Sequence, residues 1–421
     1  MQTVLRFMMM CCLALLVGCA EQPAVTPEAV ENPDPNPTGA DIEPALATAV
    51  NSFGFDLLHK VRGESPNENA FISPASVHIA LAMTYNGARN ETEAAMSRTL
   101  EISGMTRDEV NSSMRDLLSV LANPDSGVDL SIANSIWAKE GNPFNENFLT
   151  RTRDYYSAKV ERVDFTDPAT VDFINGWVSE QTHEKIPTIV EPPLDPDLIM
   201  ILINAVYFYG AWTVTFDDSL TSNEPFTLTD GTTRTVPMMR QSGSYRYLRG
   251  SGFQGVRLPY GRDGRLAMYV LLPDNGTSVN SLLERLDAPN WSEWTKAFQA
   301  AEGEVRLPRF KMEQDLELND ALKAMGMEIA FNPGRADFGD LHPINALENV
   351  YISKVKHKTF VEVNEKGTEA AAVTSVEVVI TTIEIPRERF EFRADHPFVF
   401  AIVDDESGLV LFLGVMENPE S

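Results

Sequence analysis

Apolar positions along the chain fall into two regimes. Up to about residue 185 they recur at helical spacing, and beyond Ile199 they gather into short β-prone runs. Ala45 to Val61 places Val50, Phe53, Phe55, Leu57, Leu58 and Val61 on a helical pattern. Ser73-Pro74-Ala75-Ser76 opens a second helix through Ile79, Ala80, Ala82 and Met83, with Ser73 as its cap and Pro74 in its first turn. Further helices are predicted over 107–122, 144–157 and 168–185. Ile199 to Phe208 is nearly all apolar, as a strand covered on both faces requires. Strands are predicted over 256–259 and 266–272, then over 350–355, 359–363, 390–392, 398–403 and 410–415. A helix over 318–325 should stop at Gly326. Helices and mostly antiparallel strands without regular alternation make the fold class α+β.

The first 44 residues follow neither pattern. Met1 to Arg6 supplies a positive start, and Phe7 to Val17 an apolar run too short to span a bilayer, which fits a signal peptide. The run ends in Leu16-Val17-Gly18-Cys19, which resembles the bacterial lipobox. Cleavage before Cys19 would leave its sulfur to carry a diacylglycerol. An ordinary secretory signal with an adventitious Gly-Cys is the alternative. The three cysteines of the chain are Cys11, Cys12 and Cys19, so the mature chain has no disulfide and no other thiol. Residues 20–44 carry Pro23, Pro27, Pro33, Pro35, Pro37 and Pro44 among polar residues, a composition that stays extended. The expected organisation is a lipoprotein signal peptide over 1–18, a lipidated Cys with a Pro-rich tether over 19–44, and one domain over 45–421. Ala20 offers no evident inner-membrane retention signal, so the outer membrane is the expected location, facing the periplasm or the cell exterior.

Charge narrows the choice of partners. The 421 residues carry a formal net charge of −27, and such a surface repels nucleic acid and anionic lipid. The bases near the third and fourth predicted segments, Arg89, Arg98, Arg107 and Arg115, are scattered and form no basic stripe for heparin. The chain has six His, no HExxH and no G-x-S-x-G elbow, so no catalytic, metal or cofactor site is expected.

The segment from Glu365 to Arg389 is unusual. It is long for a loop, it opens with small residues, and it then becomes strongly β-prone. Every second residue from Thr368 reads Thr368, Ala370, Ala372, Thr374, Val376, Val378 and Ile380, none of them charged, Gly or Pro. The alternate set, Glu369, Ala371, Val373, Ser375, Glu377 and Val379, holds both charges. That separation suits a strand with one buried face, and the small residues suit entry between existing strands.

At this point the chain resembles the serpin family. Glu365-Lys-Gly-Thr-Glu-Ala-Ala-Ala-Val-Thr374 matches the serpin hinge nearly letter for letter. Asn69–Ser76, Asn204–Trp212, Leu258–Tyr260, Leu307–Phe310, Phe392–Phe398 and Leu411–Pro419 resemble the family's other motifs in the family's order. Tyr209 departs from the usual Lys. The resemblance covers residues 45–420. It implies a serpin fold of three mostly antiparallel β-sheets and eight to nine helices, with an exposed reactive-centre loop over about 365–391. It also implies a monomeric, metastable inhibitor of serine-type endopeptidases, a suicide substrate rather than an enzyme. The target cuts the loop, the loop inserts into the main sheet, and the acyl-enzyme is trapped.

The family's residues carry over position by position. Glu365, Gly367, Thr368, Glu369, Ala370, Ala371, Ala372 and Thr374 form the hinge. Counting seventeen residues from Glu365 places the scissile bond at Thr381-Thr382. Cleavage one residue to either side, after Ile380 or Thr382, is the next alternative, and Arg387 or Arg389 would tempt a trypsin-like enzyme. The small and β-branched residues before the bond point to elastase- or subtilisin-like serine proteases, with cysteine proteases a further class. Ser73, Ser76, Asn204 and His357 match the shutter, where the main sheet opens, although a lone His in an apolar run is ordinarily a core residue. Trp212, Arg309 and Glu365 match the breach, where the loop enters. A non-inhibitory serpin acting as carrier or chaperone, and an unrelated solute-binding lipoprotein, are the competing readings.

Overall fold

The structure, a computed structural model, describes residues 38–122, 124–141, 143–342, 349–368 and 389–420. Folded structure begins ahead of residue 45. The Gly39 amide donates to Glu406 Oε2 at 2.8 Å, and Ile42 is buried. Nine helices lie among the described residues. They are α1 (Pro44–Glu64), α2 (Pro74–Tyr85), α3 (Asn90–Thr99), α4 (Arg107–Leu121), α5 (Glu146–Tyr156), α6 (Ala169–Gln181), α7 (Val279–Leu283), α8 (Ala288–Ala297) and α9 (Asn319–Leu322).

Strands β1 (Ala70–Ile72), β2 (Val128–Lys139), β3 (Lys159–Val163), β4 (Met200–Ala211) and β5 (Ser222–Thr227) occupy the first half. The long β6 (Thr233–Arg249) follows, with β7 (Phe253–Pro259), β8 (Leu266–Pro273), β9 (Gln299–Pro308) and β10 (Phe310–Glu317). The last third holds β11 (Lys354–Asn364), β12 (Gly367–Thr368), β13 (Phe390–Arg393), β14 (Phe398–Asp404) and β15 (Leu409–Met416).

Hydrogen bonding groups these strands into a six-stranded sheet, β10-β11-β12-β4-β2-β3, and a nine-stranded one, β1-β15-β14-β8-β7-β6-β9-β13 with β5 on β6. Strand β6 serves two sub-sheets of the latter. Arg246–Arg249 pair with β7, Met238–Tyr247 with β9 and Thr233–Met238 with β5. With the six-stranded sheet, these make up the three expected sheets of a mostly antiparallel α+β fold.

Local chemistry explains the element boundaries. Ser73 caps α2 by accepting from the Ser76 amide, and Pro74 occupies the first turn, where its missing N–H costs nothing. Every residue of α2 is buried, so the helix runs through the core rather than along the surface. Thr106 and Glu109 form a reciprocal capping box at α4. The helix expected over 168–185 ends at Gln181, because Glu184 N–H turns back to Ser179 O and Thr182 Oγ1 bonds Val178 O. The helix expected over 318–325 is a single α turn followed by a wider one, and Gly326, at φ 107°, stops it. The strands expected over 350–355 and 359–363 merge into one, β11, which begins only at Lys354, so residues 350–353 are not strand. The residues between them, Lys356 to Lys358, read as polar but stay in register with β4 and β10.

Most buried side chains belong to one core shared by the two sheets and α1, α2 and α4. A second, smaller core lies on the opposite face of the six-stranded sheet, under α6. Strand β4 is apolar at nearly every position but Asn204 because it is covered twice. Leu202, Val206 and Phe208 face the large core, and Ile201, Ile203 and Ala205 face the small one.

Candidate functional site

The centre of the six-stranded sheet is a seam. Strands β4 and β11 pair there in parallel, from Ile201 opposite Lys354 to Tyr207 opposite Phe360. Near the middle of that seam Asn204 stands opposite His357, with Asn134 of β2 on its other side. Three polar side chains in a row lie buried across three strands.

Their hydrogen bonds form one web. The Ser73 amide donates to His357 Nε2 at 3.1 Å, so that nitrogen is unprotonated and Nδ1 carries the hydrogen. Nδ1–H then donates to Asn204 Oδ1 at 2.5 Å. The Asn204 amide donates to Ser76 Oγ and to Asn134 Oδ1, the latter at 2.6 Å. Ser73 Oγ reaches Leu411 O at 2.7 Å and also receives the Ser76 amide. Burial drives the His357 pKa down to about 3, more than its bond to Asn204 restores, so the ring is neutral. The four residues matched to the shutter thus come together. Asn134 was missed by sequence reasoning, although it occupies an inward position between Ile132 and Ile136, where period two predicts an apolar residue.

At the upper end of the seam β4 and β11 part, and the chain itself fills the gap. After Asn364 the backbone turns, and β12 runs back antiparallel to both neighbours. Thr368 pairs with Val363 on one side and Gly210 on the other, and Gly367 with Asn364 and Ala211. Gly367 has φ 145°, and a β-carbon there would meet the Gly210 carbonyl and, at 2.7 Å, Ala211 Cα. Only glycine fits so close to β4.

Side chains lying just beyond the ends of β4, β7 and β9 and just ahead of β5 clasp this turn. Trp212 Nε1–H donates to Asn364 O at 2.9 Å, and its ring stacks on Tyr260 with centroids 4.4 Å apart. The Tyr260 and Thr368 hydroxyls bond at 2.8 Å, and Thr368 is wholly buried. Arg309 Nε contacts both Glu365 carboxylate oxygens at 2.7 Å, and Thr221 Oγ1 donates to the same carboxylate at 2.5 Å. Burial alone would raise the Glu365 pKa, but the bonds from Arg309 and Thr221 outweigh it and hold it below the ordinary glutamate value. Trp212, Arg309 and Glu365, matched to the breach, are therefore assembled around β12. Tyr260, the last residue of the Leu258–Tyr260 motif, completes the set.

The far end of the loop is anchored separately. Phe390 opens β13, which pairs in parallel with β9, and its ring stacks on Tyr247 at 4.1 Å. The remaining hinge residues Glu369, Ala370, Ala371, Ala372 and Thr374 lie outside the described residues. So do Ile380, Thr381 and Thr382 of the expected scissile region, and Cys19. Of the scattered bases considered for heparin, Arg89 and Arg107 both pair with Asp340, Arg107 also with Glu93, and Arg115 with Asp116.

Comparison with known proteins places this geometry in company. A family model described as serpin (serine protease inhibitor) matches residues 48–419. The chain is 36% identical to the human leukocyte elastase inhibitor, over 89% of this chain and 99% of that protein. The native-state crystal structure of a thermophilic serpin, tengpin, superposes with a TM-score of 0.82 at 33% identity, covering 92% of this chain and 97% of that one. Human thyroxine-binding globulin superposes with a TM-score of 0.81 at 27% identity, covering 89% and 99%.

Proposed function

The chain belongs to the serpin family, and from that premise we propose that it inhibits serine-type endopeptidases as a suicide substrate, with its own loop as the bait. The protease serine Oγ attacks the Thr381 carbonyl carbon, the Thr381–Thr382 C–N bond breaks, and the Thr382 amine departs with a proton from the protease's general acid. An ester then joins Thr381 to the protease. The freed loop enters the β4–β11 seam before water reaches that ester. The nucleophile and the acid–base groups belong to the target, so this chain supplies no catalysis of its own.

One observation carries the reading: the first rung of the incoming strand is in place, with Thr368 buried between Val363 and Gly210. Continuing that antiparallel register sets Ala370 opposite Val361 and Phe208, and Ala372 opposite Thr359 and Val206. Thr374 falls opposite His357 and Asn204, so a hydroxyl meets the one buried polar pair of the seam. Alanines thus meet the bulky Phe208, Val361 and Val206, and Thr374 meets the polar pair.

The leukocyte elastase inhibitor relative supports an elastase-like target. The test mixes the protein with an elastase, a subtilisin and a trypsin, and runs each mixture on a denaturing gel with mass spectrometry of the released peptide. A band at the summed mass, with a peptide beginning at Thr382, is the expected result. Cleavage by all three without any such band overturns the reading. The placement of the domain on a lipid anchor at Cys19 belongs to the same proposal. Cys19→Ser should release the protein from the membrane fraction, and retention there would refute the anchor.

A second reading has one observation in its favour. A cleft of about 700 Å³ lies beside α1, α8 and β14, with Trp291 and Tyr269 along it, and Arg246 and Lys296 outnumber Asp405 among its charged residues. It suits an aromatic carboxylate, and a thyroxine-binding relative shares the fold. Calorimetric binding of such a compound, together with failure to trap any protease, would favour a carrier.

A further inference from the structure

The residues after α6 lie across the seam that insertion must open. Residues 182–198 form neither helix nor strand, yet they are fastened at several points. On the β4 side, Ile186, Ile189 and Val190 are buried in the small core with Ile201, Ile203 and Ala205 of β4 and Trp137 of β2. Asn175 of α6 accepts the Ile189 and Val190 amides at 2.9 and 3.0 Å and donates to Val190 O at 2.9 Å. His183, held at φ 50°, sets Nε2 3.3 Å from Asp129 Oδ2 and 3.3 Å from Ser131 Oγ, both on β2. Its ring lies edge-on to Tyr207 of β4.

Across the seam the hold is of another kind. Lys358 of β11 stands opposite Ala205, on the face that α6 covers. Its Nζ donates to the Thr188 carbonyl at 2.9 Å and pairs with Glu313 of β10 at 3.0 Å. The lysine side chain is only 10% exposed. The segment is thus bedded on β2 and β4 but reaches β11 through a charge-assisted bond to a main-chain oxygen.

We propose that Lys358 is a positioning residue that sets the rate of loop insertion by clasping residues 182–198 to β11. This rests on the insertion reading above. A strand entering between β4 and β11 moves them apart by about 4.8 Å, and a 2.9 Å bond across that gap does not survive it. The clasp therefore stabilises the closed sheet and contributes nothing to the opened one. Its loss lowers the barrier to insertion without weakening the product. The incoming residue opposite Lys358 is Val373, from the alternate set, so it arrives on the side of Thr188 as the clasp gives way.

The test needs no protease. A synthetic peptide with the sequence of residues 368–380 is added to the full chain, and its uptake is followed by native gel and by the unfolding midpoint. Lys358→Met should take up the peptide on the order of tenfold faster than the unaltered chain. Lys358→Arg, which can still donate to Thr188 O, should stay near the original rate. Once loaded with peptide, Lys358→Met and the unaltered chain should melt together, because the clasp is broken in both. A lower midpoint for the loaded variant, or an uptake rate unchanged by the methionine, overturns the clasp while leaving insertion intact. If Lys358→Met does not fold, His183→Ala releases the β2 end of the same segment and should quicken uptake several-fold. Failure of the unaltered chain to take up any peptide defeats the insertion reading itself, and the clasp with it.

Discussion

Thr368 has room for its own hydroxyl and little else. It is wholly buried, its oxygen is engaged with Tyr260, and its neighbours are the backbones of β4 and β11. An arginine there would carry a charge into a buried site whose nearby carboxylate, Glu365, is already held by Arg309 and Thr221, at a cost of several kcal/mol. Thr368→Arg should be cut at an unchanged rate, but the yield of SDS-stable complex should fall by about tenfold or more. Undiminished complex would show that this position need not enter the sheet. The buried histidines make a second prediction at the same scale. Burial lowers the pKa of His357 from 6.5 to about 3 and that of His78 to about 4, against the restoring bonds to Asn204 and Leu100 O. Both folded-state values lie below the unfolded one, so their contribution is whole above pH 6.5 and is lost as pH falls, when the unfolded chain takes protons the native one refuses. Each histidine takes about 1.4 kcal/mol per pH unit, so the pair removes about 4 kcal/mol between pH 7 and pH 5. His396, whose pKa is raised because bonds to Asp395 and Pro273 O outweigh its burial, acts in the opposite direction. Urea unfolding of His78→Gln should show about half the acid slope that the two histidines give together. An unchanged slope would mean that His78 is protonated in the native state.

Among the elements, β12 is the shortest and the most exacting. Gly367→Ala would push a β-carbon into β4 and should expel the strand, so the Thr368 amide would lose its protection from hydrogen exchange while the amides of β14 and β15 kept theirs. Continued protection at Thr368 would show that β4 yields instead. The hinge motif identified this segment in sequence, but a two-residue strand has no periodicity to read. Helices α1, α2 and α4, and strands β4, β8, β14 and β15, were legible because each carries a long apolar pattern. Strand β2 was not, since Ser131, Asn134 and Ser135 interrupt its apolar run. The web around Asn204 accounts for Asn134, and the Trp137 indole N–H donates to Ser135 Oγ at 2.8 Å. Strand β11 was split for a related reason: Lys356, His357 and Lys358 read as a break, yet His357 is satisfied in the seam while both lysines pair with acids of β10. Contacts made by partners distant in sequence leave no local trace, and the grip of Arg309 and Thr221 on Glu365 shows the two cases. The family resemblance suggested the first; nothing pointed to the second.

For the molecule as a whole, the parallel β4–β11 pairing is the weak line of the main sheet. Parallel ladders are slightly less stable per residue than antiparallel ones, and an inserted strand would replace this one with two antiparallel ladders. Residues 369 to 378 would enter before the register runs past Met200, the first residue of β4. At about 1 kcal/mol net per ladder residue, the gain is on the order of 10 kcal/mol. A clean cut in the loop should therefore raise the melting temperature on the order of 10–20 °C. No rise after such a cut would mean that the native sheet is already at its most stable. The two residues of β12 bear on a different property of that sheet, its accuracy. A strand of alternating character entering an open slot has several alignments to choose from, and a slip of one residue would turn Glu369 and Glu377 inward. With Gly367 and Thr368 docked, the alignment is indexed before any bond is cut. Each insertion then counts forward from the same origin and ends in one product.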